Sequence, residues 1–147
     1  MKKLLISFFA ILVSLNVFAQ TDEQLIQKTV KTFFEGMHKR DTTLIKSVMH
    51  PDCALNSVII RTGQPVSQKH EAMAGFYKSI GSIPANVKLE ERLLEHKIQA
   101  DVALAVDWTP YELYVNDKLS HKGTNVFTLI KINNIWKIFS IIDTRKI

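Results

Sequence analysis

Cysteine is almost missing from this chain. Cys53 stands alone, so no disulfide can form within one molecule and the fold must rest on its apolar core. No activating group is identifiable beside it, and its neighbours Ala54 and Leu55 make it a packing residue rather than a nucleophile. Five glycines and four prolines leave no Gly-, Pro- or Ser-rich linker, no glycine-rich phosphate loop and no Gly-x-Ser-x-Gly elbow. The five histidines, at 38, 50, 70, 96 and 121, never fall at His-x-His or His-Glu-x-x-His spacing, so nothing supports a metal site, and no cofactor motif is present.

A run of apolar residues long enough to span a membrane is also lacking. The longest, Leu4 to Phe18, is shorter than the ~20 residues of a spanning helix, and a polar segment follows it at once. What is there is an export pattern: a Lys2-Lys3 head, the uncharged run, then Val17-Phe18-Ala19 at the positions a signal peptidase reads. Residues 1–19 are therefore expected to leave as a signal peptide. A lipid anchor would need a cysteine at the cleavage point, so the product, beginning at Gln20, is expected free in the periplasm or outside the cell. Residues 20–147 suit one domain. Without Lys2 and Lys3 the 19 Lys and Arg become 17 against 14 Asp and Glu, a dispersed net charge of +3 that makes no nucleic-acid footprint.

The expected domain opens with helices. Thr21 and Gln24 form a capping-box pattern, and Leu25, Ile26, Val30, Phe33, Phe34 and Met37 recur on one helical face. Asp41 caps a second, shorter helix that ends at His50 before Pro51. Cys53 to Arg61 reads as a strand, and Ser67 as the cap of a third helix carrying Met73, Phe76, Tyr77 and Ile80. Propensity alone makes Val87–Ile98 a helix, although Val87 and Leu89 alternate as a strand would. Alternation from Val102 to Trp108, with Asn116-Asp117 and Asn133-Asn134 as turns, gives an antiparallel meander.

Phe33-Phe34-Glu35-Gly36-Met37, His121-Lys122-Gly123, Asp143-Thr144-Arg145 and the last strand, beginning Ile135-Trp136-Lys137-Ile138, resemble the nuclear transport factor 2-like superfamily. Its small exported bacterial members are described as SnoaL-like or "putative lumazine-binding" proteins. The resemblance covers residues 21–147. It implies an α+β, cystatin-like cone with N-terminal helices packed in a curved antiparallel sheet and a pocket at the open end. It also implies that Val87–Ile98 is a strand, against propensity. It implies no activity, because the same cone hosts isomerases, dehydratases, cyclases, transport factors and dimerisation modules.

If Asn116-Asp117 is a two-residue turn, Glu112 faces His121, Trp108 faces Asn125 and Val106 faces Phe127 on one mostly apolar, concave face. Carried across Asn133-Asn134, the register puts Leu129 opposite Ile138 and Phe127 opposite Ser140. Thr124 then meets Asp143 on the other face, with Asp107. Pro110 and Gly123 suggest a bulge where the face can switch, which leaves the side of Asp143 and Arg145 open.

The candidate ligand-binding residues are Trp108, Tyr111, Glu112, Tyr114, His121, Asn125, Phe127, His50, Asp143 and Arg145. Glu112 and His121 form either an acid/base pair or a surface cross-strand pair. Trp108, Tyr111 and Tyr114 either stack on a flat ligand or simply pack. Asp143 and Arg145 either clamp a ligand carboxylate or tie down the last strand, and His50 either faces the pocket mouth or caps the second helix. The preferred function is small-molecule binding, for a flat or apolar organic ligand, in a domain that could dimerise through its sheet. The alternative is an enzyme resembling ketosteroid isomerase or the polyketide cyclases, moving a proton next to a carbonyl. A carboxylate deep in the cavity would separate the two, and the register above identifies none.

Overall fold

The computed structural model describes residues 20–147; the expected signal segment, residues 1–19, lies outside the described residues. Helix α1 (Asp22–Lys39) starts as the capping box dictates, with Thr21 Oγ1 accepting from the Gln24 amide and Gln24 Oε1 accepting from the Thr21 amide. Arg40 ends it in the left-handed region at φ 58°. Asp41 then caps α2 (Thr42–Val48) through the Leu44 amide at 2.9 Å.

Seven strands follow around a third helix: β1 (Met49–Ile60), β2 (Ser67–Glu71), α3 (Met73–Gly81), β3 (Leu89–Leu93), β4 (Lys97–Ala100), β5 (Leu104–Val115), β6 (Lys118–Ile132) and β7 (Ile135–Lys146). The sheet order is β2-β1-β7-β6-β5-β3, with β4 also on β5. Its meander is antiparallel as expected, but β1 joins β7 in parallel, so the sheet is mixed. Two further expectations are corrected. Ser67 caps no helix, because Ser67–Glu71 pairs with β1, and α3 begins at Met73 without a side-chain cap. β1 starts at Met49, so His50 lies in a strand rather than at a helix end. Val87–Ile98 supplies two short strands, as the resemblance implied; pairing with β5 outweighs the helical propensity of its glutamates.

The sheet curls around α1. Ile26, Val30, Phe33, Phe34 and Met37 pack on Leu55, Ala105, Phe127, Leu129, Ile138 and Ile141 of the concave face. Trp136 fixes the start of the helix, its indole nitrogen donating to Asp22 Oδ1 at 3.0 Å, while Cys53 is buried beside Leu55.

Both hairpins turn where expected, Asn116-Asp117 at φ 51° and 62° and Asn133-Asn134 at φ 50° and 61°, the positive values of a type I′ turn. Each hairpin then shifts by one residue. Leu113 pairs with His121 but Tyr114 with Leu119, leaving Ser120 as the extra residue; Thr128 pairs with Ser140 but Leu129 with Ile138, leaving Phe139 extra. Burial follows the shift: in β7 the inward positions are Trp136 and Ile138 before Phe139, then Ile141 and Asp143 after it. A one-residue shift exchanges the two faces of a strand.

Candidate functional site

Because of those bulges the concave face carries Asp107, Thr109 and Tyr111 from β5, Gly123, Asn125 and Phe127 from β6, and Ile141 and Asp143 from β7. Between this face, α1 and α3 lies a cavity of about 210 Å³. Its walls are Phe33, Phe34, Phe76, Leu55, Phe127 and Ile141, and its polar edge is Glu91, Asn125, Asp143, Arg145, Tyr111 and His121, with Glu71 nearby.

Tyr111, His121, Asn125, Phe127, Asp143 and Arg145 are thus brought together around one cavity. The other four candidates are not, and their placement corrects the sequence register. Trp108 pairs with Val126, not Asn125, and stands 48 % exposed on the convex face. Glu112 and Tyr114 lie outside with Arg92 and Lys122: the Tyr114 hydroxyl donates to Glu112 at 2.8 Å, Lys122 pairs with Glu112 at 2.5 Å, and the Arg92 guanidinium covers the Tyr114 ring. His50 neither faces the cavity nor caps a helix; its ring rests 5.2 Å from that of Phe139, and its Nδ1 accepts from the Asp52 amide.

Asp143 is buried and fully engaged. Its Oδ1 accepts from the Ser57 hydroxyl at 2.5 Å and its Oδ2 from Arg145 Nε at 2.7 Å. The Tyr111 hydroxyl donates to the Thr144 carbonyl at 3.0 Å and lies 3.4 Å from Asp143 Oδ2. Gly123 makes this possible: a Cβ there would meet the Thr144 carbonyl oxygen at 1.7 Å and Tyr111 Cε1 at 2.7 Å, so the phenol ring lies across the strand only over a glycine. Burial, with Asp143 and Glu91 close by, pushes the Tyr111 hydroxyl pKa up. His121 stands edge-on to that ring, and burial followed by the Arg145 charge lowers its pKa, favouring neutral imidazole.

Glu91 is the carboxylate that the sequence did not reveal. It sits on β3, in the segment whose helical propensity hid its strand geometry, and opposite Leu113. The Asn125 amide nitrogen donates to its Oε1 at 2.8 Å, and its own backbone N–H donates to His38 Nε2 at 2.9 Å, tying β3 to α1. Burial pushes the Glu91 carboxyl up to about 7; the Asn125 hydrogen bond opposes this, Asp143 adds to it and Arg145 opposes it. The cavity therefore holds an anchored ion pair, Asp143 with Arg145, and a carboxyl that is half neutral near pH 7. Such a site offers a hydrogen-bonding edge of little net charge against aromatic walls.

Helices wrapped by a curved, open sheet with a cavity at the mouth define a cystatin-like, nuclear transport factor 2-like cone. The chain belongs to the family described as "Putative lumazine-binding", whose model matches residues 21–141. Three solved structures show the same fold at low identity. A nuclear transport factor 2-like protein from Cytophaga hutchinsonii is 12% identical with TM-score 0.68, over 86% of this chain and 99% of that one. A cystatin-like-fold protein of unknown function from Nostoc punctiforme is 12% identical with TM-score 0.65, over 84% and 90%. A "putative dehydratase" of the same superfamily from Streptomyces avermitilis is 13% identical with TM-score 0.58, over 82% and 93%. No curated protein matches the chain in sequence.

Proposed function

We propose that the mature protein is an exported binding domain for a small, flat, uncharged organic molecule, held in the cone cavity with its polar edge on Glu91, Asn125 and Arg145. The observation that carries this reading is the Glu91–Asn125 pair facing Phe-lined walls in a cavity of about 210 Å³, room for one or two rings rather than for a drug-sized ligand of roughly 300 Å³ or more. A carboxyl and a carboxamide side by side present both donors and acceptors, the pattern that reads the edge of a cyclic amide. The family description supports the same class, since a lumazine is a flat bicycle with such an edge. The test is a fluorescence titration of the mature protein with lumazine: saturable binding that Asn125→Leu weakens about tenfold or more supports the reading, because one buried hydrogen-bonding group is then left unpaired. Binding that is absent, or untouched by Asn125→Leu, opposes it.

One observation favours a second reading. A carboxyl with a pKa near 7 in an apolar cavity is suited to take a proton from carbon next to a carbonyl and return it. In that reaction Glu91 would be the base and His121 or Arg145 would stabilise the enolate oxygen, in line with the dehydratase description of one structural neighbour. The Tyr111 hydroxyl is already committed to the Thr144 carbonyl, which leaves it a positioning role. Binding remains the preferred reading because it requires no substrate beyond what the cavity itself selects.

Two expectations join this proposal. Export rests on the Lys2-Lys3 head and the apolar run before Gln20. Dimerisation rests on the convex face, where Trp108, Val126 and Ile142 form a row across β5, β6 and β7, with Trp108 and Ile142 each nearly half exposed. Sedimentation of the wild type as a dimer and of Trp108→Asp as a monomer would support it.

A further inference from the structure

A second concavity, of about 550 Å³, opens between α1 and the β3–β4 segment. It shares Phe34 and Glu91 with the first cavity, and its remaining walls include Lys31, His38, Leu93, Leu94 and His96. At its edge His96 Nδ1 lies 2.7 Å from Asp107 Oδ2. Asp107 is fully buried, and its other oxygen, Oδ1, has no hydrogen-bond partner among the described residues. Burying a carboxylate costs several kcal/mol unless its partners compensate, and a pair serving only to fasten β4 to β5 would gain by satisfying both oxygens or by being apolar. What the carboxylate does accomplish is orientation. With Asp107 ionised and the imidazole neutral, the 2.7 Å contact puts the hydrogen on Nδ1 and leaves Nε2, across the ring, as an acceptor.

We propose that this cleft is a second binding site, taking a small aromatic molecule whose weakly acidic hydroxyl or ring N–H donates to His96 Nε2 while its ring lies against Phe34, Leu93 and Leu94. Charge in the cleft is compatible with a neutral or weakly acidic guest. Lys39 is paired with Glu35 at 2.6 Å and Glu95 with Lys97 at 3.3 Å, while Lys31 adds a positive charge at the rim. Leu94, 61 % exposed, is apolar surface that such a ring would cover.

The experiment is a titration of the mature protein with phenol, and in parallel with anisole, which has the same ring and no donor. It is followed by NMR on the His96 ring nitrogens and the Leu93 and Leu94 methyls. The expected result is saturable movement of those signals with phenol, about tenfold weaker binding of anisole, and a similar loss in His96→Gln, the cost of one hydrogen bond. Lumazine entry into the first cavity is read on Phe127 and Ile141, which the cleft lacks, so failure here and failure of the cavity reading are separable. Shifts confined to Phe127 and Ile141, or equal binding of phenol and anisole, or no saturable shift at all, would overturn the proposal. If His96→Gln does not fold, the wild-type phenol and anisole arms decide the matter alone.

Discussion

The carboxamide of Asn125 donates to the Glu91 carboxylate at 2.8 Å, linking two strands, β6 and β3, that are not neighbours in the sheet. They meet across β5, over the floor of the cavity, and the contact brings in the segment whose fold the sequence left most ambiguous. It also places an ionisable group where apolar walls make ionisation costly.

That cost should appear as a pH dependence of stability. The folded protein holds the Glu91 proton to about pH 7, against an ordinary value of 4.5, so between those values the native state binds more protons than the unfolded one and stability falls as pH rises. At most about 3 kcal/mol is involved, at 1.36 kcal/mol per pH unit. Glu91→Gln should therefore gain stability over wild type from pH 5 to pH 8 in urea unfolding; a constant difference across that range would refute the shift.

Arg145 has two roles in this geometry, which the sequence offered as alternatives. Its Nε holds the buried Asp143 carboxylate, and it also lines the cavity. Arg145→Ala should cost about 1–3 kcal/mol, between the values for exposed and buried pairs, since Arg145 is itself half-buried. Ligand affinity should fall beyond what unfolding explains. Chemical denaturation paired with calorimetric binding checks both; a loss of binding with no loss of stability would mean that Ser57 alone suffices to hold Asp143.

Gly123→Ala tests the seat of Tyr111. The added methyl would collide with the Thr144 carbonyl and the phenol ring, both of which belong to paired strands and cannot simply rotate away. A loss of about 3 kcal/mol or more is expected, at the upper end for overpacking. A thermal midpoint close to wild type would show that β6 and β7 separate more easily than their pairing suggests.

Cys53 should be inert. Burial pushes its thiol up to about 12, so almost no thiolate exists at neutral pH. Labelling by a thiol-reactive dye should proceed no faster than the chain opens, and rapid labelling of the native protein would contradict its burial.

The register makes a contrast between neighbours. Trp108 points away from the cavity and Thr109 toward the concave side. Trp108→Ala should leave cavity affinity within about twofold, as for a surface change, and Trp108 fluorescence should not follow ligand entry. A tenfold loss in that variant would return the tryptophan to the binding face.

Much of the architecture was legible because it is local. The Thr21–Gln24 box, the Asp41 cap and the two asparagine-led turns each follow from a few adjacent side chains, and each is where the sequence puts it. The face of the sheet was not legible, because it depends on Ser120 and Phe139, single extra residues that no composition pattern announces. The sequence suggested a bulge at Pro110 and Gly123, but those residues lie in unbroken pairing, and the shifts sit nearer to and farther from the turn. One such slip put Thr109 opposite Asn125 in place of Trp108, and Asp107 opposite Phe127 in place of Val106. Glu91 escaped for a different reason: a glutamate-rich stretch reads as helix until β5 claims it as a strand.

The central claim, that the cone cavity holds a small neutral molecule on its Glu91–Asn125 edge, is tested most directly by native mass spectrometry of the protein recovered from cells that make it. The account predicts a small-molecule adduct on the wild type that is lost, or strongly depleted, in Asn125→Leu and kept in Trp108→Ala. A wild-type protein without any adduct that also fails to bind lumazine, or an adduct that survives Asn125→Leu undiminished, would contradict it.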